Sequence, residues 1–295
     1  MFGRLFAVAA LLAGCAAPAA QEPDATTQQG AWAAQCSDDS GWDDPGPPFK
    51  VYGNTYYVGT CGIAAILVTG DKGDVLIDSG TEKGAAVVEA NIRALGFDPA
   101  NVKVLLMTHE HHDHVGGMAR LQHVTGAKLL ASPRAARAMA SGKASEDDPQ
   151  FAIDGGFAPV RVDGDVRDGV PVTLGHLSLT PVATPGHTPG ATSWQWRSCE
   201  GTACRTIVYA DSLSPVSSDS YKFSEHAAYL ADFRRSLARL AQLDCDILLS
   251  PHPAASAMDE RLAKDALVDP TACKAYAADR TRQLDARLAK EAGGQ

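Results

Sequence analysis

The sequence has little positive charge and, beyond its first residues, no long apolar run. Its 26 lysines and arginines are outnumbered by 35 aspartates and glutamates, which gives a formal net charge of −9 at pH 7. Because an acidic surface repels nucleic acid and no basic cluster is present, we exclude nucleic acid as a partner and expect a small-molecule substrate. No later run approaches the roughly 20 apolar residues that a membrane-spanning helix needs, so we predict a domain that does not cross a bilayer.

The first residues, MFGRLFAVAALLAGC, have the layout of a secretory signal peptide, with Arg4 before a short apolar stretch. Their end resembles the bacterial lipobox, so we expect a signal peptide over residues 1–15 and a lipid anchor at Cys15 that tethers a periplasmic protein to the outer membrane. The alternative is an ordinary signal peptide cleaved a few residues later, in the Ala-rich run up to Ala20. Residues 16–35 are rich in Ala, Gln and Thr without an apolar period, which predicts a flexible linker.

The seven cysteines contain no C-x-x-C pair, which disfavours a cysteine-based zinc site. With Cys15 set aside, six remain, an even number that suits disulfides in an oxidising compartment. Cys199 and Cys204 bracket the tight loop CEGTAC and are predicted partners. The pairing of the other four stays open at this point.

Residues 36–295 show no repeat and no internal boundary, and 45% of the whole chain is hydrophobic, enough for one large core. FKVY-GN-TYYVG and AAILVT-GDKG-DVLID predict two β-hairpins, and an amphipathic helix then ends at Gly96. Further strands and helices alternate, including a helix from about Ala227 to Leu243 with Ser224 as candidate N-cap. The pattern predicts one α/β domain of mixed sheet flanked by helices.

A crowded polar segment, HEHHDH, follows the buried strand VKVLLM. It holds four of the nine histidines and one aspartate, namely His109, His111, His112, Asp113 and His114. Neutral imidazoles select borderline-soft divalent metals such as zinc, and the density of donors indicates two ions. His109 and His111 are two apart in extended backbone and point the same way, whereas His112 is interpreted as a bystander.

Two further histidines occupy similar positions at strand ends. His187 lies in ATPGHTPG, where prolines and glycines hold a turn, and His252 lies in LLSPHP after a short apolar strand. A lone loop histidine would ordinarily be a surface residue. Because three strand ends carry histidines in the same context, we predict that they converge on one metal site at a sheet edge.

Four sequence blocks, HEHHDH, VLIDSG with Asp78, TPGHTPG with His187 and SPHP with His252, occur in the order found in the metallo-beta-lactamase superfamily. The sequence resembles that family from about Phe49 to its C-terminus. The resemblance implies an α/β fold of one domain, a four-layer αββα sandwich with the metal site at one edge of the two sheets.

The same resemblance implies two Zn²⁺ ions per chain, one held by His109, His111 and His187 and the other by Asp113, His114 and His252. Two lactamase subclasses place a zinc-binding cysteine where this chain has Ser212, whereas the third has serine, so the chain is most similar to the third subclass. Asp211 could align with the metal-bridging aspartate of glyoxalase-like and lactonase-like relatives, but we interpret it as structural.

This resemblance implies hydrolysis of the amide bond of penicillins, cephalosporins and carbapenems by a metal-bound hydroxide, and thereby antibiotic resistance. Asp113 would orient the hydroxide and take up its proton, and Ser212 and Ser214 would bind the substrate carboxylate. Trp42 and Phe151 would be apolar walls of the cleft. The S-x-x-K motif of serine lactamases is absent.

The alternatives are a lactonase or thioesterase of the same superfamily, and a tethered zinc-binding lipoprotein without catalysis. The resemblance also implies disulfides from Cys36 to Cys61 and from Cys245 to Cys273. We expect a monomer whose partner is a small β-lactam.

Overall fold

The apolar runs predicted as strands form two β-sheets in the computed structural model, which describes residues 25–293. The first sheet has seven strands in chain order: β1 (Phe49–Tyr52), β2 (Thr55–Tyr57), β3 (Ile66–Val68), β4 (Asp74–Ile77), β5 (Val102–Leu106), β6 (Lys128–Ala131) and β7 (Gly164–Asp165). The second has five strands, β8 (Val172–Leu174), β9 (Leu177–Ala183), β10 (Thr192–Glu200), β11 (Ala203–Tyr209) and β12 (Ile247–Leu249), in the spatial order β12-β11-β10-β9-β8.

Helices cover the outer faces of both sheets. The described helices are α1 (Ala25–Gln35), α2 (Gly84–Ala94), α3 (His112–Val115), α4 (Met118–Thr125), α5 (Pro133–Ser141), α6 (Ala227–Leu240), α7 (Met258–Ala263) and α8 (Ala272–Ala292), with 3-10 turns at Pro99–Asn101, Phe223–Glu225 and Pro253–Ser256. Apolar residues of α2, α4 and α5 pack on the first sheet, and those of α6 and α8 pack on the second.

Alternation along the strands produces the layers. Ile66 and Val68 of β3 lie in the cluster between the sheets, whereas Leu67 between them lies in the cluster under the helices. In β11, Ile207 and Tyr209 face the first sheet, and the intervening residue faces α6 and α8. Because both faces of each central strand are buried, these strands are apolar throughout. The predicted four-layer αββα sandwich of a single α/β domain is confirmed.

The N-terminal boundary differs from the prediction. Residues 16–35 were expected to be a flexible linker, but residues 25–35 form α1, which packs against β1 and α7. Trp32 is 1% exposed and contacts the rings of Phe49 and Tyr57, and the side chain of Gln29 donates to the Lys50 carbonyl at 2.8 Å. Burial of the Trp32 indole fixes the position of this polar helix on the domain. The prediction of a flexible linker is therefore wrong for residues 25–35. The predicted signal peptide, Cys15 and residues 16–24 lie outside the described residues.

Three disulfides join the predicted pairs: Cys36 to Cys61, Cys199 to Cys204 and Cys245 to Cys273. The predicted N-cap at Ser224 is wrong, because that residue lies in the 3-10 turn before α6 and its N–H donates to Glu291. His226 precedes the first turn of α6 without a side-chain capping bond. None of the described helices is long and apolar enough to span a membrane.

Candidate active site

The site lies where the carboxyl ends of strands from both sheets meet. Strands β4 and β5 are parallel, as are β11 and β12, so the carboxyl ends of each pair lie at one edge of their own sheet. Hydrogen bonds join the sheets there: Trp194 Nε1 donates to the Met107 carbonyl at 2.8 Å, and the N–H of Thr192 donates to the Thr108 carbonyl at 2.7 Å. The loops that carry the six predicted ligands all start at this edge.

Three predicted ligands, His109, His111 and His187, form one cluster. Each offers a ring nitrogen, and these three nitrogens lie within 4.8 Å of one another. All three residues are buried. The two-residue spacing and the rigid PGHTPG turn therefore bring the imidazoles together as the sequence predicts.

Polar neighbours distinguish the two nitrogens of each ring. His109 Nδ1 lies 2.9 Å from Asp211 Oδ1, and its buried Nε2 has no partner among the described residues. His187 Nδ1 lies 2.9 Å from the Ser214 carbonyl oxygen, to which it can donate. In His111 it is Nε2 that contacts a carboxylate, Asp148, at 3.2 Å. The pattern leaves Nε2 of His109 and His187, and Nδ1 of His111, as the metal-facing atoms.

The other predicted ligands, Asp113, His114 and His252, form a second convergence. Asp113 Oδ2 lies 3.0 Å from His114 Nε2 and 3.4 Å from His252 Nε2, and the two Nε2 atoms are 3.2 Å apart. Asp113 and His114 lie on α3, a single turn that starts directly after His111. A second grouping of donor atoms within 4.8 Å joins His109 to Asp113 and His114, so the two convergences are adjacent.

The residues present fit zinc. The orphaned, buried Nε2 of His109 is a lone-pair donor aimed into the cluster. Burial lowers the pKa of His109 and His187 well below the usual range, so both imidazoles are neutral, the form that binds metal. Burial opposes ionisation of Asp113, but His114 and His252 hold the pKa of its carboxyl below the usual range, so it stays an anion. Imidazole and carboxylate donors suit zinc.

Buried carboxylates outside the ligand set hold the site together. Asp78 accepts from the Thr108 N–H at 2.7 Å, from the Thr108 hydroxyl at 2.8 Å and from the Tyr209 hydroxyl at 2.7 Å, which links the first sheet to the second. Asp211 accepts from the Leu213 N–H at 3.2 Å besides facing His109. Its buried Oδ1 has no hydrogen-bond partner among the described residues, so the interpretation of Asp211 as structural stays a prediction.

Glu110, between two ligands, is fully buried and was not singled out from the sequence. Its carboxylate accepts from the Thr188 hydroxyl and from the Gly190 N–H, both at 2.8 Å, and so joins the HEHHDH segment to the loop that carries His187. Burial, with a smaller contribution from Asp148, raises the pKa of Glu110 to about 7. The one sequence signal for this role of Glu110 is its position between His109 and His111.

His112 stays outside both groups of donors, as predicted. Its Nδ1 contacts Asp154 at 2.8 Å, and its ring lies 5.7 Å from that of Trp42, centroid to centroid. Trp42 also lies 6.0 Å from the His252 ring and is 46% exposed, so its ring lies near one predicted ligand and in contact with solvent. Phe151 is 42% exposed on the loop that follows α5.

The two predicted substrate serines differ in their surroundings. Ser212 is 3% exposed, and its hydroxyl has no hydrogen-bond partner among the described residues. The Ser214 hydroxyl lies 3.1 Å from His187 Nδ1, next to the carbonyl contact of the same residue. Tyr276 of α8 was missed from the sequence, and its hydroxyl donates to the Ser212 carbonyl at 2.8 Å.

An αββα sandwich with histidine and aspartate donors at the shared edge defines a class of metal-dependent proteins. The family described as Metallo-beta-lactamase superfamily matches residues 58–252, and the chain belongs to this superfamily. The resemblance inferred from the sequence is thereby confirmed.

Comparison with solved structures shows which members of the superfamily the chain is similar to. The MIM-2 metallo-beta-lactamase is 57% identical with a TM-score of 0.86, covering 90% of this chain and 98% of that chain. MIM-1 from Novosphingobium pentaromativorans is 51% identical with a TM-score of 0.86, covering 89% and 98%. MEM-A1, described as a subclass B3 metallo-beta-lactamase from a soil metagenome library, is 40% identical with a TM-score of 0.83, covering 86% and 100%.

Curated relatives match over shorter stretches. A probable metallo-hydrolase of Burkholderia pseudomallei (strain 1710b) is 32% identical over 147 residues, which are 46% of this chain and 48% of that protein. The N-acyl homoserine lactonase AttM of Agrobacterium fabrum is 31% identical over 114 residues, 35% and 39% respectively. The chain spans about half or less of the length of these relatives.

Proposed function

We propose that the protein is a zinc-dependent metallo-beta-lactamase of the subclass B3 kind, which hydrolyses the amide bond of β-lactam antibiotics and so confers resistance to them. The observation that carries the proposal is the convergence of six predicted donors on one edge of the sandwich. The similarity to MIM-2 and MEM-A1 over nearly the whole of those chains supports the choice of substrate class.

His109, His111 and His187 would hold one zinc ion, and Asp113, His114 and His252 a second. Bound zinc polarises a carbonyl and makes water available as a nucleophile at neutral pH. The carboxylate of Asp113, kept ionised by its two histidine neighbours, would orient that water and accept its proton at Oδ2 or Oδ1. Two dications against one carboxylate would make the site locally positive in a chain of net charge −9, so that an anionic drug is attracted to the site itself.

Ser212 and Ser214 would position the substrate. The Ser212 hydroxyl is free to donate to a carboxylate, since no described residue engages it. Ser214 would act in two ways, because its carbonyl holds His187 while its hydroxyl lies beside the same ring. Trp42 and Phe151 would contact the apolar substituents of the drug at the rim of the cleft.

A lactonase or thioesterase of the same superfamily is the second candidate. It is favoured by the matches to a lactonase and to hydroxyacylglutathione hydrolases. Against it, the Asp211 carboxylate faces protein groups, since Oδ1 lies 2.9 Å from His109 Nδ1 and Oδ2 accepts from the Leu213 N–H, whereas the six proposed ligands form two donor groups without it.

The experiment is hydrolysis of a penicillin, a cephalosporin, a carbapenem and an acyl homoserine lactone by the zinc-loaded protein, after chelation and after zinc restoration. We expect turnover of the lactams that chelator removes and zinc restores, and loss of turnover in His111→Ala. Zinc-loaded protein that opens the lactone but none of the lactams would establish the second candidate. Zinc binding without turnover of any substrate would favour the non-catalytic lipoprotein.

We further propose that the protein is exported to the periplasm as a monomer and anchored by lipid at Cys15. The three disulfides support an oxidising compartment. Labelling of the expressed wild-type protein, but not Cys15→Ala, with a radiolabelled fatty acid tests the anchor, and sedimentation of the mature protein tests the oligomeric state.

A further inference from the structure

The chain between Gly142 and Gly156 forms a loop whose two ends meet. The N–H of Phe157 donates to the Gly142 carbonyl at 2.8 Å, and both glycines have left-handed φ values of 71° and 69°. Lys143 and Asp147 are exposed on this loop. Asp148, the next residue, is only 2% exposed, so the loop directs one carboxylate into the protein.

Asp148 reaches a predicted metal ligand. Its Oδ1 and Oδ2 lie 3.3 and 3.2 Å from Nε2 of His111, and Oδ1 also accepts from the N–H of Gln150 at 2.7 Å. No other described residue hydrogen-bonds this carboxylate. Burial of a carboxylate is unfavourable unless it is paired, so the contact with His111 is what compensates for its position.

The geometry of this contact fixes the orientation of His111. A neutral imidazole, the form that binds metal, presents Nδ1 as its lone-pair atom when Nε2 donates to a carboxylate. His109 and His187 have the opposite arrangement, because their partners lie on Nδ1. Without Asp148, the His111 ring could rotate or take the other tautomer, and either change would remove its donor from the cluster.

The same loop has a second contact of the same kind that provides an internal control. Asp154 contacts Nδ1 of His112 at 2.8 Å and accepts from the His112 N–H at 3.2 Å. His112 is not in either group of donors. Two aspartates thus attach one loop to neighbouring histidines, but only Asp148 contacts a ligand.

We propose that Asp148 is a positioning residue of the metal centre, which holds His111 in the metal-binding tautomer and couples the loop from Gly142 to Gly156 to occupancy of the trihistidine site. The proposal rests on the proposed function, because it takes His111 to be a zinc ligand. Outer carboxylates of this kind change metal affinity by roughly 10- to 100-fold when removed.

The test compares Asp148→Asn with two matched variants, Asp147→Asn, which alters the exposed partner of Arg134, and Asp154→Asn. Zinc dissociation constants are measured by competition with a chromogenic chelator. We expect one of the zinc ions to bind about 10- to 100-fold more weakly in Asp148→Asn, with both controls unchanged, and Asp148→Glu to recover part of the affinity. The unfolding midpoint of the chelator-treated variants serves as a check, because a purely structural role would lower it without a specific loss of zinc affinity.

The coupling is tested by limited trypsin cleavage after Lys143. Zinc should protect this bond in the wild-type protein and in Asp147→Asn, but not in Asp148→Asn. If Asp148→Asn does not fold, Asp148→Ser, which also removes the carboxylate, is measured in its place. Wild-type protein that binds no zinc would contradict the proposed function, whereas wild-type zinc affinity and trypsin protection in Asp148→Asn would overturn only the role of Asp148.

Discussion

Tyr276→Phe removes a single hydroxyl that connects α8 to the predicted substrate-binding segment. That hydroxyl donates to the Ser212 carbonyl at 2.8 Å and lies 3.3 Å from the Asp211 carbonyl, and the residue is 4% exposed. Burial raises the pKa of Tyr276, so the hydroxyl stays protonated and able to donate. Phenylalanine keeps the ring and its packing but leaves a buried carbonyl without its donor.

The expected cost follows from that unpaired group. A buried acceptor that loses its partner costs about 1 to 3 kcal/mol, and we expect a decrease of this size in the free energy of unfolding. Because the carbonyl belongs to Ser212, the segment that would meet the substrate also becomes less well ordered. We therefore expect KM for a β-lactam to increase several-fold, with a smaller change in kcat.

The assay is urea unfolding of chelator-treated protein together with steady-state kinetics of the zinc-loaded form. Tyr52→Phe is the matched control, because it also removes a tyrosine hydroxyl. The Tyr52 hydroxyl donates to the Ala203 carbonyl at 3.2 Å, but at the surface. The control should change stability by less than about 0.5 kcal/mol and leave KM unaltered. Equal losses in the two variants, or no loss in Tyr276→Phe, would refute the reasoning.

Three further predictions concern acid stability, the disulfides and the bystander histidine. Glu291 accepts from the N–H groups of Phe223 and Ser224 and pairs with Arg287; burial opposes its ionisation, but these partners lower its pKa to about 2. Glu291→Gln should therefore lower stability above about pH 4.5, and the difference from the wild type should vanish as pH falls toward 2, as followed by thermal unfolding with chelator present. Loop entropy predicts a stabilisation of about 3.6 kcal/mol for the disulfide from Cys245 to Cys273, separated by 28 residues, and about 2 kcal/mol for that from Cys199 to Cys204, separated by 5. Replacing both cysteines of a pair by serine should therefore cost more stability in urea unfolding for the first pair than for the second. The reverse order would contradict the entropic account. His112→Ala should bind as many zinc ions as the wild type by atomic absorption, and loss of one ion would show that His112 is a ligand.

The periodic parts of the fold could be predicted from the sequence because their cause is local. Alternating residues in β3, β4 and β11 sort into the two buried faces, and the HEHHDH segment needed only the edge position of its strand to be interpreted. His187 and His252 could be predicted as ligands because each lies in a turn that directly follows an apolar strand.

What the sequence could not show depends on contacts between distant segments. The helix at residues 25–35 has no strong apolar face, and its position follows from the fit of Trp32 against β1 and β2. Asp147 and Asp148 are indistinguishable as letters in SEDDPQ, yet one is exposed and the other contacts His111. The hydrogen bond from Tyr276 to the Ser212 carbonyl depends on the packing of α8 against that segment, which the sequence does not show.

The origin of the six donors has a mechanical consequence. His109, His111, Asp113 and His114 follow β5 in the first sheet, whereas His187 and His252 follow β9 and β12 in the second. Each proposed ion would take donors from both halves of the sandwich, so neither half alone offers the three donors assigned to an ion. The metals would hold the two sheets together at this edge. A displacement of one sheet relative to the other would separate the donors of each ion before it exposed the core.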